Sequence, residues 1–244
     1  MLVLLLVLII SAWFLVCRPH RYSWYSFKKK FSDMEGPVKF FNLHETDAER
    51  HYVCTPQRVR YSEIFNNQYR DASNTCMLKV TEGPLVEYAR PVAGGKPGAY
   101  TLKVQTSPWK YQPHFDCVSQ WVHMLHGKKV WVLFDLPYEG DMERTFLETN
   151  RGKGWRALVH ALTVEGIPHE VRHARAGDVF YLPAGRYHLT ENEGRQGTIF
   201  LNVADTVPDP HLASRFQALW PRWSQTGQEI FFDAHIGEDD ATRG

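Results

Sequence analysis

"GDVFYLPAGRYHLTEN", residues Gly177–Asn192, packs two turns, two strand-like runs and a histidine into one short stretch. Gly177-Asp178 reads as a turn, Val179 to Leu182 as a buried strand, and Pro183-Ala184-Gly185 as a second turn. His188 then enters the next strand. Upstream, "PHFDCVSQWVHMLHGKKVWVLF" (Pro113–Phe134) sets His114 and Asp116 two residues apart at a strand-like start. In an antiparallel barrel an early and a late strand face each other across the interior, so histidines entering both just after turns converge inside the mouth. Two imidazoles and one carboxylate form the facial set that holds Fe(II) and leaves positions open for other ligands. His114, Asp116 and His188 are therefore the candidate metal ligands. A lone His-x-Asp is most often an ordinary polar corner; the joint pattern is what carries the reading.

The flanking sequence agrees with a barrel. From Met77 onward come short runs rich in β-branched and aromatic residues: "MLKVTE", "AYTLKVQTS", "SQWVHML", "KKVWVLF", "HEVRHARA" and "GTIFLNVA". His126-Gly127 reads as a hairpin-like join between two of them. Pro137 to about Pro168 reads as a polar, helical insertion. Ser62 reads as the cap of a short helix at Tyr61–Phe65, and Leu212, Phe216 and Leu219 have helical spacing ended by Pro221. The expected class is mainly β, a sandwich or barrel with flanking helices.

Composition narrows the rest. The chain has 244 residues, enough for one large domain, and 28 basic against 27 acidic residues, which removes any bulk electrostatic case for nucleic-acid binding. Cys17, Cys54, Cys76 and Cys117 form no close pair, arguing against a disulfide framework or zinc finger. Met1 to Cys17, "MLVLLLVLIISAWFLVC", is apolar except for Ser11 and reads as a retained single-pass transmembrane signal-anchor. Arg18, Arg21 and Lys28 to Lys30 follow it, which predicts a cytoplasmic domain, the secretory-pathway lumen being the alternative. The expected organisation is thus an anchor over 1–17, a basic juxtamembrane linker over 18–37, a catalytic domain over 38–236 and a polar tail over 237–244.

The spacing Gly177, Pro183, Gly185, His188, Asn192 resembles the second signature of the cupin superfamily. The first signature is met in altered form by His114, Asp116, Gln120 and Gly127. Asp116 stands for a usual histidine, Gln120 for a usual glutamate, and Pro108 occupies the place of the leading glycine. With those departures "PHFD", "HGKKVWVLF" and "GDVFYLPAGRYH" are similar to phrases of the JmjC and cupin-like 2-oxoglutarate oxygenases. The resemblance covers about residues 77–204. It implies a double-stranded β-helix (jelly-roll, cupin barrel), Fe(II) as metal and 2-oxoglutarate as cosubstrate. It also implies that Lys129, fifteen residues after His114, meets the distal carboxylate of 2-oxoglutarate, with Lys128 on the opposite face. Asn202, Gln120 and Tyr111 are its further cosubstrate contacts, Tyr111 standing where relatives often have a threonine. A hydroxylase acting on a protein or small-molecule substrate is the expected activity, and the C-terminal helix around Phe216–Trp223 could pair two copies. A cupin of another class would keep the triad and make Lys129 irrelevant; a non-catalytic module would keep only the fold.

Overall fold

The computed structural model describes residues 29–43, 55–60, 62, 75–80, 84–94, 98–105, 110–193, 197–205 and 207–220. The expected anchor, most of the expected Tyr61–Phe65 helix and the polar tail lie outside them. No helix among the described residues is long and apolar enough to cross a membrane.

The fold is mainly β. Among the described residues eleven strands are formed: β1 (Glu35–Leu43), β2 (Thr55–Arg60), β3 (Thr75–Val80), β4 (Ala99–Gln105), β5 (Lys110–His114), β6 (Gln120–His126), β7 (Lys128–Phe134), β8 (His169–Arg175), β9 (Val179–Leu182), β10 (Tyr187–Asn192) and β11 (Thr198–Ala204). Helices among the described residues include α1 (Pro84–Ala89), α2 (Asp141–Thr149), α3 (Trp155–Val164) and α4 (Pro210–Leu219). One sheet runs β2-β1-β3-β4-β11-β6-β9, the other β5-β10-β7-β8, and the pairings are antiparallel. β1 already begins at Glu35, so Gly36-Pro37 belong to a strand and not to the linker. Pro37 is tolerated there because β1 has only β2 beside it at that point, its pairing with β3 starting at Lys39.

The sheets pack face to face. Trp131 and Leu133 of the small sheet share one apolar cluster with Val122, Phe180 and Phe200 of the large sheet. On the other side of the small sheet Val130, Val132 and Phe134 meet Phe146 of α2 and Leu158 and Leu162 of α3. β7 is thus buried on both faces, which explains its nearly unbroken apolar run. Neither α2 nor α3 has a side-chain cap of its own, but Glu191 of β10 accepts the Trp155 N–H at 3.0 Å and so caps α3 from the sheet. α4 is capped by Asp209, whose carboxylate takes the N–H groups of His211 and Leu212, with Pro210 in the first turn. Phe216 of α4 is buried in the helix-side core, so the helix packs on the small sheet of its own chain.

Three sequence expectations need correction. His126-Gly127 is not a hairpin: β6 lies in the large sheet and β7 in the small one, and the chain crosses between sheets there. Gly127 permits the crossing with φ +82°, and a Cβ on it would lie 2.6 Å from the Gly197 carbonyl oxygen. Val179 to Leu182 is not buried throughout, because β9 is an edge strand; Val179 and Tyr181 are exposed while Phe180 and Leu182 face in. Finally, the two histidine strands do not face each other across the interior. β5 and β10 are neighbours in one sheet, with His188 paired directly to His114.

Candidate metal centre

His114 ends β5, Asp116 follows in the next loop, and His188 is the second residue of β10. Phe115 between the first two turns the other way. It is fully buried, its ring meeting Tyr187 at 5.2 Å, Phe216 at 5.8 Å and Trp220 at 5.5 Å. That aromatic anchor fixes the loop and leaves His114 and Asp116 on the inner side. The late turn is clamped to the same loop: Gly185 donates its N–H to the Asp116 carbonyl at 2.9 Å, and Ala184 donates to Ser119 Oγ at 3.0 Å. The Pro-x-Gly spacing therefore places the turn that delivers His188.

One ligand atom from each of His114, Asp116 and His188 lies within 4.8 Å of the others, and all three side chains are buried. Asp116 approaches His188 Nε2 at 3.7 Å and His114 Nε2 at 4.0 Å. His188 Nδ1 lies 3.1 Å from the Arg186 carbonyl, which can only accept, so Nδ1 carries the proton and Nε2 keeps its lone pair. Burial lowers the His188 pKa against the pull of Asp116, which favours the neutral, metal-ready imidazole. Burial pushes Asp116 up, but His188, His114, Lys103 and the Gln120 amide together hold its carboxyl below the usual range. A buried carboxylate beside two buried imidazoles, one of them with its Nε2 lone pair free, is a donor set that fits a divalent cation.

Behind the triad, Gln120 donates to Asp116 and accepts from Asn202, so both predicted residues sit beside the carboxylate ligand. Lys129 lies deeper. It pairs across the strands with Asn192, while Leu133 on the same face of β7 pairs with His188. Its side chain is fully buried, donates to Gln105 Oε1, and lies 4.8 Å from the Phe200 ring centre and 5.7 Å from that of Trp131. Burial, reinforced by Lys103, drives its pKa well below the ordinary amine value. Lys128, by contrast, is exposed. Tyr111 is on β5 three residues before His114; its side chain lies outside the described residues.

Sequence reasoning missed Gln105, Thr198, Trp131 and Lys103. Thr198 Oγ1 lies 3.2 Å from Gln105 Oε1 and 2.9 Å from Asn192 Oδ1, completing the polar floor around Lys129. The signal for Lys103 and Gln105 was present as the alternation Thr101, Lys103, Gln105 in "AYTLKVQTS". Alternation alone gives such a polar face to solvent; here it lines the interior. Among the described residues no other histidine joins this group: His123 is buried on β6, His169 Nδ1 meets the Ile167 carbonyl at 2.9 Å, and exposed His173 pairs with Glu193 at 3.0 Å. Cys117 is buried in the helix-side cluster, its thiol pushed up to about 12 by burial and by the carboxylates of Asp116 and Asp209. Comparison with models of known protein families gave no match, and no curated protein matches the chain.

Proposed function

We propose that this chain is an Fe(II)- and 2-oxoglutarate-dependent oxygenase, a hydroxylase, built on a double-stranded β-helix of the JmjC and cupin-like kind. The observation that carries the reading is a fully buried lysine, Lys129, on the same inner face as the buried His114-Asp116-His188 group but deeper in the fold. A cation placed where water cannot solvate it is unstable unless a ligand anion completes it. Lys129, with Gln105 and Thr198 around it, would take the distal carboxylate of 2-oxoglutarate. His114, Asp116 and His188 would hold the metal. Gln120 and Asn202 orient Asp116, and the apolar walls from Val122, Trp131 and Phe200 exclude water from the space between metal and lysine. When bound, Fe(II) with 2-oxoglutarate and O₂ supplies the oxidation, 2-oxoglutarate leaving as succinate and CO₂.

The test is succinate formation by the full-length chain, purified in detergent, loaded with Fe(II) without oxygen and then exposed to air with 2-oxoglutarate. Turnover absent from a His114→Ala/Asp116→Ala control supports the oxygenase, even when uncoupled from a substrate. No turnover, together with no binding of 2-oxoglutarate to the metal-loaded protein, rejects it. The apolar segment Met1–Cys17 we read as a membrane anchor with the domain in the cytoplasm. Alkaline extraction and protease protection of sealed membranes test that placement; release by alkali, or protection of the domain, refutes it.

A further inference from the structure

Lys103 has no part in the resemblance, yet it lies on the inner face of β4 between Thr101, whose register partner is Asn202 near the triad, and Gln105, whose register partner is Thr198 near Lys129. Its ammonium is 5.7 Å from the centre of the Phe200 ring, the same ring that Lys129 approaches at 4.8 Å. It also acts electrostatically on Asp116, on His188 and on Lys129, so it stands near the metal ligands and the deep lysine alike. Lys103 is half-buried and makes no hydrogen bond or ion pair among the described residues.

Two further polar groups, one on the facing small sheet and one on β11, lack partners. The indole N–H of Trp131 is buried and unpartnered, and its ring lies 5.7 Å from His188 and 5.7 Å from the Lys129 ammonium. Asn202 Oδ1 is buried and unpartnered as well. Among the described residues the buried carboxylates are Asp116 and Glu143, and Glu143 is paired with Arg215 on the helix side. With a divalent ion seated, Asp116 offsets only part of its charge and both lysines remain uncompensated. An interior of that sign calls for an anion at each end of the cavity.

We infer that Lys103, with the Trp131 indole N–H on the facing sheet, is a second anion-binding residue that holds the metal-proximal carboxylate of the cosubstrate, while Lys129 holds the distal one. The inference rests on the oxygenase reading. It assigns the two lysines to opposite ends of one dianion, so removing each has a different signature.

The experiment titrates full-length Mn(II)-loaded protein by calorimetry with 2-oxoglutarate and with oxalate. Oxalate can chelate the metal but is too short to reach Lys129. Losing a charge-assisted hydrogen bond in a buried site weakens binding roughly 10- to 100-fold. Lys103→Met should weaken both ligands by about that factor, whereas Lys129→Met should weaken 2-oxoglutarate alone. Unchanged Mn(II) affinity and a thermal midpoint no lower than that of the wild type show that each variant is folded. Lys103→Gln, which keeps a polar donor on a shorter stem, replaces the methionine variant if that one misfolds. Wild-type binding of both ligands with no loss in the Lys103 variants overturns this inference and leaves the oxygenase reading standing. Loss confined to 2-oxoglutarate overturns the assignment of Lys103 to the metal end. Wild-type protein that binds neither ligand sinks the oxygenase reading, and this inference with it.

Discussion

Lys129 buries an ammonium among Gln105, Phe200 and Trp131, and among the described residues no buried carboxylate is paired with it. Its depressed pKa has a definite consequence for stability. The unfolded chain holds the Lys129 proton up to the ordinary amine value of 10.5. The destabilisation is therefore absent above that pH, grows as pH falls below it, and is complete beneath the folded value. Lys129→Met should stabilise the ligand-free protein by about 1 kcal/mol or more at neutral pH, flatten the rise of stability with pH, and abolish stabilisation by 2-oxoglutarate. Denaturant titrations at several pH values check this; a less stable variant would mean that the lysine is structural. Gln120 acts one step further from the metal, holding Asp116 while being held by Asn202. Gln120→Leu should keep the fold and lower metal affinity by about 10- to 100-fold, read by competition with a chelator.

Strand crossings, more than strands, determine how the elements meet. The chain passes from the large sheet to the small one at Gly127, and does so again from β9 to β10 through the Pro183–Arg186 turn that binds the Asp116 loop. Gly127→Ala should cost about 2 kcal/mol or more, since it adds a strained positive φ to a backbone clash at 2.6 Å. Chemical denaturation followed by circular dichroism measures it, and a variant as stable as wild type would show that the crossing can relax. Gly185 works similarly at the second crossing, where its φ of +80° is matched by a Leu212 side chain 3.0 Å from any added Cβ. Helix α4 thus presses on the turn that delivers His188.

At the scale of the molecule, one buried network ties the helices to the ligand strand. Glu143 of α2 accepts from the Tyr187 hydroxyl and pairs with Arg215 of α4 at 2.6 Å, while the Arg215 guanidinium lies over the rings of Phe115 and Tyr187. Phe115 and Tyr187 are the immediate neighbours of His114, Asp116 and His188 in sequence, so loosening the helices loosens the metal site. Arg215→Ala removes the ion-pair partner of buried Glu143, leaving it only the Tyr187 hydroxyl, and should cost about 3–5 kcal/mol, with metal affinity falling in parallel. Thermal melts with and without Mn(II) check both; full metal affinity in a destabilised variant would break the proposed link. Phe216 faces this same core, so a dimer would have to use another surface of α4.

Local chemistry determined much of this protein by itself. Period-two runs bounded by Gly and Pro marked most strands from Met77 onward, and the Gly-Pro-Gly-His spacing marked the turn that carries His188, because turns and alternation act over a few residues. His114, Asp116 and His188 were legible for the same reason, each standing at a turn or strand end. Only tertiary structure decided that β5 and β10 are neighbours, since pairing depends on which edges meet and not on composition. It alone decided that His126-Gly127 crosses between sheets, and that the polar face of β4 looks inward. Lys103, Thr101 and Gln105 alternate as a solvated strand would; the small sheet packed over them turns that face into the interior of a site.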